Sequence, residues 1–243
     1  MNESIVGWHA AMALIKRAPE RVQQVLTLDS LAPARFEQLQ AAGVTFTALP
    51  KAQFLKQART FEDVAHQGIA VLATPASVLP EGALTEVLGG VSTPLLLALD
   101  GVTDPRNLGA ILRSAEAAGV TAVIQPKDNS AALNQAARKT ACGAAELVPL
   151  VTVTNLKRTL EKLRKDGFWV SGAAGEGAVD AFTADLTGPR VIVMGSEGRG
   201  LRKGIRDACD ELVAIPMAGA ISSLNVSVAT GVLLFEALRQ RRS

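Results

Sequence analysis

Ile215-Pro-Met-Ala-Gly-Ala-Ile-Ser-Ser-Leu-Asn-Val-Ser-Val-Ala-Thr-Gly231 is the stretch whose reading decides the fold. A strand-like run, Glu211 to Ile215, breaks at Pro216 into a loop of small residues, and Ser222, Ser223 and Asn225 then open a helix. Loops of Gly, Ala and Ser let a ligand approach the backbone, and the first helical turn presents unpaired N–H groups with a partial positive charge. Ser and Asn also cap helices, so this segment alone reads equally well as a capped core helix. Two upstream segments of the same character tip the balance. Leu95 to Leu99 is an apolar strand, followed by the turn formers Asp100, Gly101, Asp104 and Pro105 and by a helix from about Asn107 to Ala118. Val191-Ile-Val-Met-Gly-Ser-Glu-Gly-Arg-Gly-Leu-Arg-Lys203 repeats the order of strand, glycine loop, helix. Three polar junctions at the carboxyl ends of strands describe one ligand site at the edge of a parallel sheet.

Working outward, six strand candidates alternate with helices from Pro94 onward: 95–99, 122–125, 148–153, 168–173, 191–195 and 211–215. This alternation predicts an α/β domain over 93–243, with helices on both faces of a parallel sheet. Residues 1–73 predict a smaller α/β module: helices over 7–17 and 33–41, strands over 22–28, 44–48 and 68–73. Between them, 74–92 holds Pro75, Pro80, Gly82, Gly89 and Gly90 around one short apolar segment and reads as a linker. Arg239 to Arg242 reads as a solvated basic helix end that complements the dipole.

Composition narrows the class. At 243 residues and 48% hydrophobic content the chain can bury a large core. No apolar run approaches the ~18 residues of a membrane span, and the amino terminus lacks a basic-then-apolar signal pattern, which points to the cytosol. Cys142 and Cys209 stand in unlike contexts, with only His9 and His66 as further soft ligands, so buried free thiols are expected and a metal is not. A net charge of +2 is too mild to announce nucleic acid, and 4% aromatic content without Tyr argues against a base-stacking surface. Dinucleotide binding fails on spacing. A G-x-G-x-x-G run from Gly198 would need glycine where Lys203 stands, and no acidic residue ends a second strand about twenty residues on.

The three junctions together resemble the signature motifs of the SPOUT superfamily of RNA methyltransferases, in its TrmH (SpoU-type) branch. They are Thr103-Asp-Pro-Arg-Asn107-Leu-Gly-Ala-Ile-Leu-Arg113, Gly195-Ser-Glu197-Gly-Arg-Gly200, and Ile215 to Ser227. Thr103 stands where many relatives carry Asn. Gly7-Trp-His-Ala10, Val64-Ala-His-Gln-Gly68 and Lys139-Thr-Ala-Cys-Gly-Ala-Ala-Glu146 extend the resemblance over nearly the whole chain. The resemblance implies an L30e/L7Ae-like RNA-binding domain followed by a SPOUT domain with a trefoil knot. Base rates run strongly against knots, so the knot rests on the resemblance alone.

The resemblance also implies S-adenosylmethionine as cofactor, with Gly195, Ile215, Met217 and Leu224 around its adenosine part. The implied reaction is methylation of a guanosine ribose 2′-hydroxyl in 23S ribosomal RNA. A ribose hydroxyl is a very weak acid, so the site must stabilise its deprotonation while keeping oxygen, methyl carbon and sulfur nearly collinear. By the resemblance Arg113 is the central residue. A guanidinium stays protonated, so Arg113 lowers the hydroxyl's pKa and fixes its geometry without acting as the base. Asn107 and Asn225 would orient the ribose, Arg113 or each other, Ser223 would hydrogen-bond in the same pocket, and Glu197 would act from the glycine loop. His9 and His66, both near the amino terminus, are expected to be structural or RNA-facing. Val226, Val228, Ala229, Val232, Leu233, Leu234 and Phe235 make the last helix apolar nearly all round, which predicts a homodimer through the C-terminal domain. The rival readings are a transfer RNA methyltransferase with the same motifs, and an inactive RNA-binding or ribosome-assembly factor. The second would be favoured by loss of the motif polar residues, and all of them are present.

Overall fold

The structure is a computed structural model; it describes residues 3–60, 65–175, 179–220 and 222–242. Val64 and Ile221, both inside the motifs quoted above, lie outside the described residues. The chain divides into two compact units, one of residues 1–76 with 142–147, the other of residues 77–141 with 148–243.

The first unit runs β1 (Glu3–Val6), α1 (Trp8–Arg17), β2 (Val22–Leu28), α2 (Pro33–Ala41), β3 (Thr47–Leu49), α3 (Lys51–Gln57) and β4 (Ile69–Ala73). Its sheet has the order β1-β4-β2-β3, antiparallel except between β2 and β3. The strand expected over 44–48 lies at 47–49, and Val44 and Phe46 pack against the core ahead of it, Phe46 stacked on Phe36. Two of the quoted amino-terminal motifs meet here. The Trp8 amide donates to Gln67 Oε1 at 2.7 Å, and Arg35 lies over the Trp8 ring and donates to the Gln67 carbonyl at 2.8 Å. His66 accepts from the Gly68 amide through Nδ1 at 3.0 Å and leans on Phe54. The third motif ends in Glu146, whose buried carboxylate receives Arg21 and the Ala76 amide. Cys142 to Leu147 thus belongs to this unit although it interrupts the other one in sequence.

The second unit runs β5 (Leu79–Pro80), α4 (Leu84–Leu88), β6 (Leu95–Asp100), α5 (Pro105–Ala117), β7 (Ala122–Pro126), α6 (Gln135–Ala141), β8 (Leu150–Val153), α7 (Leu156–Lys165), β9 (Trp169–Ala173), β10 (Val179–Asp180), β11 (Arg190–Gly195), α8 (Lys203–Arg206), β12 (Glu211–Ala214) and α9 (Val226–Arg241). The sheet order is β10-β12-β9-β11-β6-β7-β8-β5, and every pairing is parallel. β6, β7 and β11 are buried along their whole length and are apolar but for Asp100, Gln125 and Arg190, as strands covered on both faces are. Leu160 and Leu163 of α7 and Ile205 of α8 join one face's core, and α5 packs against both α6 and α9.

Three expectations need correction. Residues 74–92 are not a free linker: β5 pairs with β8, and Leu79, Leu84, Val87 and Leu88 are apolar enough to bury at the sheet's edge. The basic tail is not all solvated. Arg241 donates to the carbonyls of Leu186, Thr93 and Gly188, tying the end of α9 to the turn before β11. Of the two thiols, Cys142 is exposed, while burial raises the pKa of Cys209 to about 12.

Candidate active site

Each motif places its polar residue by a local device. In the first, Asp104 caps α5 through a 2.7 Å bond from the Arg106 amide, and Pro105 supplies the fixed φ of the opening turn, so Asn107 falls in that turn. Gly109 follows because α6 passes against the backbone: a Cβ there would lie 2.3 Å from the Ala137 carbonyl oxygen. In the second, the main chains of Ser196 and Gly200 exchange hydrogen bonds of 3.1 and 3.0 Å, closing a tight loop with Glu197 at its tip. A Cβ on Gly195 would lie 2.2 Å from the Gly200 carbonyl carbon, so the returning chain runs directly against the end of β11. Asp100, buried at the end of β6, holds the far side of this loop. Its Oδ2 accepts from the Arg202 amide at 2.9 Å and its Oδ1 from Arg202 Nε at 2.7 Å. In the third, Asn225 is the N-cap of α9, its Oδ1 accepting from the Ser227 amide at 2.9 Å and from Ser227 Oγ at 2.6 Å.

These devices bring three motifs together. Asn107 Nδ2 donates to Glu197 Oε1 at 3.0 Å, and Asn225 Nδ2 donates to Asn107 Oδ1 at 3.2 Å and to Glu197 Oε1. Asn107 and Asn225 sit 118 residues apart in sequence, yet each amide is oriented by the other and by one carboxylate. Beside them opens a cleft of about 500 Å³ at the carboxyl ends of β9, β11 and β12. Gly195, Glu197, Ile215, Met217, Ser223, Leu224 and Asn225 all line it. Its remaining wall, Ala173 to Gly175 after β9, carries no signal in the sequence beyond small size.

Arg113 is not among the residues that line the cleft. It is exposed on α5; its neighbour Ser114 lies 3.8 Å from where a Cβ on Gly231 of α9 would be. Both histidines lie in the first unit. Two residues that hold the site were not anticipated, Asp100 and Arg202. Asp100 was detectable as the one charged residue ending an otherwise apolar strand. Arg202, 102 positions away, carried no signal.

The whole of this geometry lies within the part of the chain that known proteins share. The sequence profile of the SpoU rRNA Methylase family matches residues 94–235. The chain is 52% identical to the 23S rRNA (guanosine-2′-O-)-methyltransferase RlmB of Pseudomonas putida, over 99% of this chain and 97% of that protein. The crystal structure of the SpoU methyltransferase AviRb from Streptomyces viridochromogenes, in complex with AdoMet, superposes with a TM-score of 0.69 at 27% identity, covering 100% of this chain and 91% of that one. The A. aeolicus TrmH/SpoU tRNA modifying enzyme, at TM-score 0.57 and 33% identity, covers 66% of this chain and 82% of its own.

Proposed function

This chain belongs to the SpoU rRNA methylase family, and from that premise we infer that it transfers a methyl group from S-adenosylmethionine to a guanosine ribose 2′-hydroxyl of 23S ribosomal RNA. The carrying observation is the convergence of Asn107, Glu197 and Asn225, one from each motif, beside an apolar cleft. The residues present fit the cofactor. Ile215, Met217 and Leu224 offer apolar surface, the last two 39% and 38% exposed, while Gly195 and the Ala173–Gly175 wall leave main-chain groups open. Glu197 is the one charged side chain among the described residues that line the cleft, which suits a ligand held by backbone hydrogen bonds and apolar contact.

S-adenosylmethionine supplies the electrophilic methyl group. The chain's residues do the rest. Gly195, Ile215, Met217 and Leu224 hold the adenosine part. Asn107 and Asn225, locked to each other and to Glu197, fix the ribose, and Ser223 hydrogen-bonds in the same pocket. Arg113, a fixed positive donor, would stabilise the negative charge that develops on the ribose oxygen as its proton passes to solvent and the O–CH3 bond replaces the S–CH3 bond of the cofactor, which leaves as the neutral thioether. Its exposed position beside α9 supports a site completed across a homodimer: Val228 and Phe235 of α9 are 52% and 49% exposed, an apolar face that a second copy would cover. In that arrangement Arg113 of one subunit reaches the cleft of the other.

The first unit, which contains residues 1–73, is the L30e/L7Ae-like domain that selects the RNA, by shape more than by bulk charge. The SPOUT domain is knotted in a trefoil, a reading that rests on the family resemblance alone. Among the described residues no helix is long and apolar enough to cross a membrane, and the enzyme works in the cytosol with its rRNA. Ribosomal RNA is preferred over transfer RNA because the tRNA-modifying relative lacks a counterpart to a third of this chain. The test is a map of 2′-O-methylation across RNA from cells with and without the protein. A single guanosine methyl lost from 23S rRNA is the expected result; a methyl lost from a transfer RNA instead overturns the substrate.

A further inference from the structure

The loop that carries Glu197 has a second cavity on its far side. This one also measures about 500 Å³ and opens at the same carboxyl edge of the sheet, between the ends of β7 and β8 and the start of α8. Its walls include Arg202, Lys157, Asn155 and Asn129, with Asp128 as the acidic member. Resting on the RNA-methyltransferase reading above, we propose that this cavity is a subsite for a backbone phosphate of the RNA strand that flanks the target nucleotide.

The chief argument is Arg202. Its side chain is 61% exposed, yet the guanidinium is not free to swing, because Nε and Nη2 are both held on Asp100 Oδ1, at 2.7 and 2.5 Å, and that carboxylate is wholly buried. Nη1 has no partner among the described residues. A guanidinium pinned along one edge by a buried acid presents its other edge in a fixed direction, and planar, preorganised donors of this kind suit phosphate oxygens.

Lys157 adds a second cation. Among the described residues it pairs with Glu161 at 3.6 Å, with both side chains about half exposed, a contact easily given up. The cavity also meets the amino end of α7, a helix of 10 residues. Asn155 caps that helix by accepting from the Arg158 amide, which leaves the Leu156 and Lys157 amides without a partner among the described residues. Cation, oriented fork and helix amino end thus surround one cavity.

Position supplies the link to the reaction. Gly195 lines the cofactor cleft and lies opposite Asp100 in the β11–β6 register, and Asp100 holds Arg202 on the second cavity. One short loop therefore forms a wall of both. An RNA strand that delivers a ribose to Asn107 and Asn225 runs along this edge, and a phosphate seated on Arg202 would fix its register while pressing the loop into place.

The test uses the full-length protein and an unmethylated 23S rRNA transcript. Binding is measured over a salt series, and methyl transfer at varied RNA concentration. Lys157→Gln and Arg202→Gln should each raise the KM for RNA about tenfold, the scale of a lost charge-assisted hydrogen bond, and lower the slope of log affinity against log salt by about 0.7–0.9. For Lys157→Gln, kcat at saturating RNA and S-adenosylmethionine affinity should hold. Lys162→Gln removes a charge from the outer face of α7, where Lys162 pairs with Asp166, and should bind RNA as the parent does. An unchanged salt slope in Lys157→Gln, or an equal loss in Lys162→Gln, overturns the subsite, the latter by showing bulk charge at work. A parent protein that binds the transcript but never methylates it overturns the function reading instead, so the two failures are distinguishable.

Discussion

Replacing Gly195 by Ala adds one methyl group where the main chain passes hard against it. The new carbon would stand 2.2 Å from the Gly200 carbonyl carbon and 2.5 Å from both the Gly200 oxygen and the Leu201 nitrogen. All three are main-chain atoms, so no rotamer change relieves the clash. Restoring an ordinary contact of about 3.4 Å requires the loop to move by roughly 1 Å, and the loop is bonded at both ends, by the Ser196–Gly200 pair and by Arg202 on Asp100. Overpacking of this kind costs about 1–3 kcal/mol of stability. The functional cost should be larger than that range implies, because Glu197 rides on the loop and its 3.0 Å bond with Asn107 cannot survive a 1 Å displacement. Misplacement on that scale lowers turnover by about a hundredfold. Thermal denaturation, S-adenosylmethionine titration and single-turnover methyl transfer on 23S rRNA would measure the three effects separately. Gly204→Ala is the matched control: its nearest neighbour, Lys157 Cδ, lies 3.8 Å from the added carbon, and a helical Gly→Ala change is favourable or neutral. A Gly195→Ala protein that melts with the parent and transfers methyl at the parent rate would refute the argument.

Other substitutions probe the remaining parts. Asn225→Ala loses the α9 cap, worth about 0.5–2 kcal/mol, together with the bonds to Asn107 and Glu197, so melting temperature and single-turnover rate should fall together; a fall in stability alone would demote Asn225 to a cap. Arg113→Ala should cut turnover about a hundredfold or more with S-adenosylmethionine affinity intact, and Arg113→Lys should not rescue it, since an ammonium lacks the guanidinium fork; near-normal single-turnover transfer in either variant removes Arg113 from the chemistry. Phe235→Glu, on the exposed face of α9, should shift sedimentation toward a monomer and abolish activity, whereas a parent protein already monomeric at micromolar concentration rules out the dimer. Burial holds the Cys209 thiol up at about 12, so at pH 8 it is almost wholly protonated and should resist alkylation in the folded chain while exposed Cys142 reacts; mass spectrometry showing both labelled at similar rates would contradict that burial.

The elements legible in the sequence were those set by local pattern. Apolar runs such as Leu95–Leu99 and Val191–Met194 have no other use than a strand covered on both faces, and the turn formers Asp104 and Pro105 announced the following helix, which begins at Pro105, two residues before the expected Asn107. Asn107, Glu197, Ser223 and Asn225 were nameable through the resemblance of their junctions to the family's motifs; the local pattern alone marked only a polar, turn-rich strand end. What joins them was not nameable. The Asp100–Arg202 clamp spans 102 residues and the Arg241–Thr93 bond 148, and neither leaves a mark on the residues between. Pro and Gly around Leu79 to Leu88 suggested a linker, since two-residue strands such as β5 are too short to show a period. The position of Arg113 illustrates a different limit: helical spacing indicates which side of α5 it leaves, but not what stands opposite.

The excursion of Cys142 to Leu147 into the first unit bears on how such proteins can be recombined. A gene fusion that transplanted residues 1–76 onto another catalytic domain would carry Arg21 without the Glu146 carboxylate and carbonyl it donates to, and would leave Trp8, Ile5 and their neighbours without Leu147. The donor catalytic domain, for its part, would keep six residues of someone else's core. Exchange that preserves both parts must therefore move two separated segments, 1–76 and 142–147, at once.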